Sequence, residues 1–261
     1  MTSGQSEARR RGPSITHDPH DLRSSCITAG QAAEPVLGVL FDLDDTLFEQ
    51  SEWLAGAWDA VAHAAGLHGV DQQLFRSSLE HLAAAGTDKG RIIDRALERV
   101  GVSECPIDPL LAAFRSHRSK RLEPYAGVRE SLRRLRERVP IAVITDGDPE
   151  IQRDKLSCLS LLDAFDAFVF SDEFGREHRK PDTLPFEFAL SMLDLRPESV
   201  VVVGDRPSKD VAGALASGMR AVRVLTGEYR SLPDDPRAWV TVSDLVAAVT
   251  FIEPLTPLRS P

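Results

Sequence analysis

The feature that most constrains the fold is a set of five short runs that are almost entirely apolar. Strands that are buried on both faces carry such runs, because helices cover both sides of a parallel sheet. Segments with helical patterns accompany the runs, and this alternation predicts an α/β fold with a doubly wound parallel sheet. The predicted strands are Val36–Phe41, Ile141–Thr145, Phe168–Phe170, Val200–Val203 and Ala221–Leu225. The predicted helices are Val128–Arg138, Pro149–Leu162, Leu184–Leu193 and Lys209–Ser217.

One long segment interrupts this alternation, because residues 49–123 show helical patterns only. The segment follows the first predicted strand and ends before the second, so we expect an inserted all-helical cap over the carboxyl edge of the sheet. The α/β core is then predicted for residues 35–48 and 124–252. We expect Trp53 and Trp58 in the interior of the cap rather than against a substrate, because large aromatic side chains are usually buried.

The two ends of the chain lack these patterns. Residues 1–34 are rich in Ser, Gly, Pro and Arg without apolar periodicity, which predicts a disordered tail. A transit peptide is the alternative, but acidic residues balance the arginines of this segment, unlike the acid-poor composition of such peptides. A second loose tail is predicted for residues 253–261.

Composition limits the partners of the chain. Acidic residues outnumber basic ones by 40 to 31, the formal net charge is −9, and no Lys/Arg-rich run is present. Binding to nucleic acid is therefore not expected. No apolar stretch approaches the roughly 20 residues of a membrane span, so no membrane association is expected either. The three cysteines are far apart and form no C-x-x-C pair, which favours a reducing, cytoplasmic location. The oligomeric state is not predicted.

Polar residues follow the predicted strands where those strands end. Asp42, Asp44 and Thr46 follow the first strand and share one side of an extended chain, because side chains alternate with period two. Lys180 precedes a proline and a predicted helix. The remaining candidates are Thr145, Asp146 and Gly147 after the second strand, and Asp205 and Asp210 after the fourth. Parallel sheets bind ligands beyond the carboxyl ends of their strands, so these residues are predicted to meet at one site. Gly147 would let backbone N–H groups turn toward a ligand.

The clustered carboxylates, without His or Cys companions, indicate a hard cation, and Mg²⁺ is the usual one where phosphate is handled. A carboxylate facing a phosphate dianion experiences about 4 kcal/mol of repulsion per charge pair at ~4 Å and an effective dielectric constant of about 20. Mg²⁺ and Lys180 would offset this repulsion. Lys180 is one of only five lysines among 31 basic residues, and an ammonium suits a single phosphate oxygen. One aspartate could then act as nucleophile and a second as general acid/base.

These residues resemble the four motifs of the haloacid dehalogenase-like hydrolase superfamily, in order and in spacing. The motifs are Asp42-x-Asp44-x-Thr46, Thr145, Lys180-Pro181, and Gly204-Asp205 with Asp210. The helical insertion is similar to the helical cap class of that superfamily. The resemblance implies that Asp42 is the nucleophile, that Asp44 is the general acid/base, and that Thr145 and Lys180 hold the phosphoryl group. It further implies that Mg²⁺ binds the Asp42 carboxylate, the Asp44 backbone carbonyl and Asp205, with Asp210 a direct or indirect partner.

Several side chains have a simpler interpretation. Asp45 is expected only to cap a turn, and Asp146 is expected to contribute its backbone as readily as its carboxylate. Asp210 could be no more than a favourable charge near a helix N-terminus. Lys209 is expected at the surface. Five histidines show no metal-ligand spacing and are expected to be non-catalytic: His63, His68, His81, His117 and His178.

The resemblance also bears on the reaction. Asp44 distinguishes the phosphatases of the superfamily from its dehalogenases, which implies hydrolysis of a small phosphate monoester. The stretch TDGDPEIQRDK, Thr145 to Lys155, is similar to N-acylneuraminate-9-phosphatases and pyrimidine nucleotidases, which implies a sugar phosphate or a nucleoside monophosphate. A phosphotransferase and a non-catalytic protein that binds a phosphorylated ligand remain alternatives. A phospho-accepting signalling receiver is disfavoured by the length of the chain, and a nucleotide kinase by the absence of a G-x-x-x-x-G-K-[ST] run.

Overall fold

The computed structural model of the protein describes residues 34–257, apart from the side chain of Asp88. The tail predicted for residues 1–34 lies outside the described residues except for Glu34. Of the second predicted tail, residues 258–261 also lie outside them. Within residues 34–257, no helix is both long enough and apolar enough to cross a membrane.

The core of the protein is a six-stranded parallel sheet with the strand order β3-β2-β1-β4-β5-β6. The strands are β1 Gly38–Phe41, β2 Ile141–Thr145, β3 Ala167–Phe170, β4 Val200–Gly204, β5 Arg220–Val224 and β6 Val240–Val242. The predicted α/β fold with a doubly wound parallel sheet is confirmed. Strand β6 was not predicted, because it has three residues, lies at the sheet edge and is only half-buried.

Helices account for most of the remaining chain. They are α1 Gln50–Gly66, α2 Gln72–Ala84, α3 Ile92–Arg99, α4 Ile107–Ser116, α5 Val128–Arg136, α6 Pro149–Cys158, α7 Leu184–Leu193, α8 Ala212–Ala216 and α9 Leu245–Ile252. Helix α6 ends four residues earlier than predicted, and Ser160 beyond it has the left-handed φ of 52°. Helix α8 is preceded by a wider π-helical turn at Pro207–Val211, a geometry that often marks functional sites.

Both faces of the sheet are buried, and successive strand residues point to opposite sides. Val39 and Phe41 of β1 join an apolar cluster that also contains residues of α5 and α9. Leu40 between them joins the opposite cluster with residues of α7 and α8. This arrangement explains why the strand sequences are apolar at nearly every position.

Helices α1 to α4 form an insertion between β1 and β2, called the helical insertion below. They surround a third apolar cluster that includes Trp58, Phe75 and Leu110. The chain enters and leaves the helical insertion at one place, because Phe48 and Pro124 form an antiparallel bridge. The N–H of Tyr125 also donates to the carbonyl of Leu47 at 2.9 Å.

The chain remains packed after α9, so the expectation of a loose tail from Glu253 is wrong for residues 253–257. Glu253–Leu255 form a 3₁₀ turn, and the carbonyl of Leu255 accepts the N–H of Val36 at 2.9 Å. Thr256 is buried, and its hydroxyl accepts Nε of Arg138 at 2.6 Å. These partners are distant in sequence, which is why local composition did not indicate them.

Candidate active site

The loop after β1 places the first two candidate carboxylates at the carboxyl edge of the sheet. The N–H of Asp42 donates to the carbonyl of Val203 at 2.9 Å, which extends the pairing of β1 with β4 by one residue. Asp42 and Asp44 are both buried. Thr46, which is fully buried, donates its hydroxyl to Oδ2 of Asp42 at 3.3 Å.

Lys180 lies at the centre of the site. Its ammonium donates to Oδ1 of Asp42, to Oδ1 of Asp210 at 2.7 Å and to the carbonyl of Ile144 at 3.2 Å. Burial alone would lower the pKa of Lys180, but the carboxylates of Asp210 and Asp42 raise it above its ordinary value. Lys180 therefore stays positively charged beside Asp42, the candidate nucleophile.

Asp42, Asp205 and Asp210 form a carboxylate cluster whose members offer oxygen atoms within 4.8 Å of one another. Both side-chain oxygens of Asp205 are buried and have no hydrogen-bond partner among the described residues. Burial raises the pKa of Asp205 well above its ordinary value, and burial likewise raises that of Asp42, although Lys180 opposes the shift of Asp42. Gly204 permits this close approach, because a Cβ there would lie 2.4 Å from Cγ of Asp210.

The carboxylate cluster fits a divalent cation with oxygen ligands. Three carboxylates face the ammonium of Lys180 and the guanidinium of Arg206, whose Nε lies 3.9 Å from Oδ1 of Asp205, so negative charge is still in excess in a buried place. A bound cation would neutralise that excess and would give the two orphaned oxygens of Asp205 a partner. The side chain of Asp44 is not part of the cluster, so its predicted contribution to a metal site is confined to the backbone carbonyl.

The Asp44 carboxylate instead contacts two side chains of α6. Lys155 Nζ lies 2.7 Å from Oδ1 and 2.9 Å from Oδ2 of Asp44, and Gln152 Nε2 donates to Oδ2 at 2.9 Å. The same Gln152 nitrogen lies 2.6 Å from Oγ1 of Thr145, which is itself buried. Gln152 and Lys155 were not predicted as site residues from the sequence. Two signals could have found them: Lys155 is one of the five lysines, and the Gln-x-x-Lys spacing places both on one helix face.

Asp146 links three segments through its carboxylate. Its Oδ1 accepts Ser171 Oγ at 2.8 Å and the backbone N–H of Lys180 at 3.0 Å, and its Oδ2 accepts Lys209 Nζ at 2.9 Å. Although burial raises its pKa, the charges of Lys180 and Lys209 outweigh this effect and hold the pKa of Asp146 below its ordinary value. Lys209 is only 21% exposed and contacts a candidate site residue, so the expectation of an ordinary surface lysine outside the site is wrong.

Two further sequence-based expectations concern turn residues. Gly147 has a φ of 120°, a backbone conformation that suits glycine. Its N–H was expected to face a ligand, but it donates to Oδ1 of Asp172 at 3.2 Å instead. Asp45 behaves as the expected turn cap, since its Oδ1 accepts the N–H of Gln50, the first residue of α1, at 2.9 Å.

A cavity of about 400 Å³ lies between the helical insertion and the carboxyl edge of the sheet. Its lining includes Trp53 and Trp58, two of the three tryptophans of the chain, and both are buried. Trp58 lies in the apolar cluster of the helical insertion as expected, whereas Trp53 joins the cluster that contains α5 and α9. Among the described residues, the five histidines considered above are not part of the lining. The charged lining residues are Asp42, Asp44, Asp94, Asp146, Asp148, Arg91, Arg115, Lys155, Arg176, Arg179, Lys180, Arg206 and Lys209. Cations thus outnumber carboxylates in the cavity, although the whole chain is acidic.

The helical insertion contacts the core beside this cavity through Thr87. The hydroxyl of Thr87 donates to Oε1 of Glu228 at 2.6 Å. Nη2 of Arg206 lies 3.4 Å from that hydroxyl and 3.3 Å from Oε1 of both Gln50 and Glu228. Arg206 follows Asp205 directly, so the contact with the helical insertion adjoins the carboxylate cluster.

Comparison with known proteins identifies the family. Residues 36–218 match the family model for haloacid dehalogenase-like hydrolases. The chain belongs to this family of hydrolases. The resemblance noted in the four motifs is confirmed at the level of the haloacid dehalogenase-like family, and the match spans both the carboxylate cluster and the helical insertion.

Individual relatives cover most of this haloacid dehalogenase-like chain. It is similar to a glyceraldehyde 3-phosphate phosphatase from Methanocaldococcus jannaschii, with 30% identity over 84% of this chain and 98% of the relative. A phosphoserine phosphatase from Thermus thermophilus is 35% identical over 74% of this chain and 76% of its own. Among solved structures, the family member YfnB from Bacillus subtilis, bound to magnesium, has a TM-score of 0.63 at 15% identity and covers 84% of this chain and 99% of its own. That structural likeness shows a shared fold.

Proposed function

We propose that this protein is a Mg²⁺-dependent phosphatase that hydrolyses a small phosphate monoester through an aspartyl-phosphate on Asp42. The observation that carries the proposal is the contact of Lys180 with both Asp42 and Asp210 beside the carboxylate of Asp205, whose oxygens accept no hydrogen bond from the described residues. These side chains come from three separate segments, after β1, before α7 and after β4, and meet at the edge of the cavity, where a phosphate would need cationic partners.

In the first step, a carboxylate oxygen of Asp42 attacks phosphorus, and the bond from phosphorus to the ester oxygen breaks. Asp44 gives a proton to that departing oxygen, so the product leaves as an alcohol. Lys180 and the hydroxyl of Thr145 hold the transferring phosphoryl group. A Mg²⁺ ion held by Asp42, Asp205, Asp210 and the Asp44 carbonyl would supply positive charge that offsets the repulsion between carboxylate and phosphate.

In the second step, water attacks phosphorus of the aspartyl-phosphate, and Asp44 accepts a proton from that water. The bond from phosphorus to the Asp42 oxygen breaks and inorganic phosphate leaves. Asp42 is again a carboxylate, and Asp44 is again the protonated acid with which the first step began. Asp44 thus gives and regains one proton per turnover. Its position two residues after Asp42 lets one loop supply both groups.

The substrate class follows from the cavity. A volume of about 400 Å³ lies at the lower end of the range for small-molecule sites. The excess of cations in the lining supports a compact anionic metabolite. The relatives described above are named for glyceraldehyde 3-phosphate and phosphoserine, which favours small phosphorylated sugars and acids over a nucleoside monophosphate.

The partner and location follow the same reasoning. We place the enzyme in the cytoplasm, where small phosphorylated metabolites occur and where free thiols such as those of Cys105 and Cys158 stay reduced. We expect no nucleic-acid partner, because the cationic groups line a cavity of small-molecule size and the net charge of the chain is −9.

Phosphate release tests the proposal. The protein is incubated with Mg²⁺ and a panel that contains glyceraldehyde 3-phosphate, phosphoserine, phosphoglycolate, hexose phosphates and nucleoside monophosphates. Release of inorganic phosphate in stoichiometric amounts with the alcohol supports the phosphatase. Transfer of the phosphoryl group to a second alcohol instead of water would identify a phosphotransferase, and binding without turnover would identify a non-catalytic phospho-ligand protein.

A further inference from the structure

The ammonium of Lys155 has a single hydrogen-bonding partner among the described residues, the carboxylate of Asp44. Its nitrogen lies 2.7 Å and 2.9 Å from the two oxygens of that carboxylate. Lys155 is 3% exposed, so its charge is held away from bulk water. A buried ammonium is costly unless it is paired, and here the pairing is with the one group that must transfer protons in the proposed reaction.

Helix α6 contacts Asp44 through a second side chain. Gln152 lies one turn before Lys155 on the same helix face and donates to Oδ2 of Asp44 at 2.9 Å. Its Nε2 also lies 3.0 Å from the carbonyl of Asp146 and 2.6 Å from the hydroxyl of Thr145. One face of α6 therefore fixes the proposed acid/base relative to the loop that holds the phosphoryl group.

The helical insertion completes the surroundings of Lys155. The ammonium lies 4.6 Å from the centre of the Trp53 ring in α1 and 6.0 Å from that of Phe48. Aromatic faces attract cations at these distances, so the two rings help to hold the ammonium in the place where it contacts Asp44. Trp53 also lines the cavity, which connects this restraint to the substrate site.

We propose that Lys155, with Gln152, is a positioning residue that orients the Asp44 carboxylate for proton transfer to the leaving oxygen and from water. This inference rests on the proposed function, because it assigns the proton transfers to Asp44. Lys155 itself touches neither phosphorus nor the leaving oxygen in this role. It acts by holding the Asp44 side chain in position to exchange a proton with the leaving oxygen and with the attacking water.

The test compares two substrates that differ in their need for an acid. Glyceraldehyde 3-phosphate has an alkyl leaving group that must be protonated, whereas p-nitrophenyl phosphate has a leaving group that departs without a proton. For Lys155→Met we expect kcat on glyceraldehyde 3-phosphate to fall by about 10²-fold, the cost typical of a misplaced catalytic group, with little change in KM. The release of p-nitrophenol in the first turnover should stay close to the wild-type rate.

Two further variants separate positioning from folding. Arg153→Met removes a cation from the same helix that contacts the Phe170 ring and lies outside the cavity, so it should leave both rates unchanged. The double variant Asp44→Asn/Lys155→Met should have the same kcat as Asp44→Asn alone, because Lys155 acts through Asp44. The double variant also lacks the buried carboxylate that Lys155→Met alone would leave unpaired, so it remains informative if the single variant does not fold.

The outcomes are distinguishable. Equal losses on both substrates, an unchanged rate on glyceraldehyde 3-phosphate, or additive losses in the double variant would overturn the positioning role while leaving the proposed phosphatase intact. If glyceraldehyde 3-phosphate is not turned over, the panel member with the highest kcat/KM replaces it as the substrate with an alkyl leaving group. A wild-type protein that releases phosphate from no member of the panel in the presence of Mg²⁺ would overturn the proposed function and this inference with it.

Discussion

Lys180 and Asp210 form a buried ion pair, with Nζ 2.7 Å from Oδ1, although 30 residues separate them in the chain. Both side chains are less than 5% exposed. The pair couples the segment before α7 to the segment after β4, and Lys180 extends the contact to Asp42. One ammonium therefore contacts two of the three clustered carboxylates.

Replacement of Lys180 by Ala should weaken both the fold and phosphate binding. Removal of one partner from a buried ion pair typically costs about 3–5 kcal/mol of unfolding free energy. Affinity for vanadate or fluoroberyllate should fall as well, because the cationic partner of a phosphoryl oxygen is lost. Urea unfolding and titration calorimetry measure the two effects, with the exposed Lys120→Ala as control. Unchanged fluoroberyllate affinity in Lys180→Ala would contradict the assigned role.

Asp42→Asn should abolish turnover while leaving the fold intact, because the amide is a poor nucleophile of nearly the same size. Phosphate release measures the activity, and circular dichroism checks the fold. Asp108→Asn, an exposed change in the first turn of α4, should retain full activity. Activity above a few per cent of wild type in a folded Asp42→Asn protein would remove Asp42 as the nucleophile.

Asp205→Asn should change the stability of the protein relative to wild type in opposite directions without and with Mg²⁺. In EDTA, Asp205→Asn should be at least as stable as wild type, because it replaces a buried carboxylate that lacks a hydrogen-bond partner. With Mg²⁺ at about 100 times its Kd, wild type should gain about 2.7 kcal/mol of unfolding free energy, and Asp205→Asn should gain far less. Thermal melting gives both values, with the exposed Asp163→Asn as control. An identical Mg²⁺ response in wild type and Asp205→Asn would count against this site, as would phosphatase activity that persists in EDTA.

Asp244 caps helix α9 and should give a pH-dependent contribution to stability. Its Oδ1 accepts the N–H of Ala247 at 2.9 Å, and this hydrogen bond holds the pKa of Asp244 below its ordinary value. A lowered pKa in the folded state means that the contribution is present above the unfolded pKa and is lost as pH falls through the folded pKa. Asp244→Ala should cost about 0.5–2 kcal/mol at neutral pH.

Urea unfolding between about pH 2 and about pH 7 measures this contribution, because the range includes the ordinary Asp pKa of about 3.9 and the lowered pKa below it. Asp244→Asn is the matched control, since an asparagine can also cap a helix but does not titrate. Its stability relative to wild type should rise as pH falls. A constant difference between Asp244→Asn and wild type across the range would show that the cap does not contribute through its charge.

Apolar patterning was sufficient to predict five of the strands and the edge of the sheet where polar groups meet. Lys155 could not be assigned from the same reasoning, because its partner Asp44 lies 111 residues away and only the docking of α6 brings them together. The interpretation of Lys209 failed for a similar reason, since its contact with Asp146 spans 63 residues. Local periodicity determines which residues form an element, whereas pairing between elements depends on packing that it does not encode.

The bridge between Phe48 and Pro124 has an evolutionary consequence. Because the two ends of the helical insertion meet, that segment can be lengthened, shortened or exchanged at little cost in chain-closure entropy and without moving the strands that carry the carboxylates. Substrate preference could then diverge among descendants of one ancestral hydrolase while its chemistry is inherited unchanged.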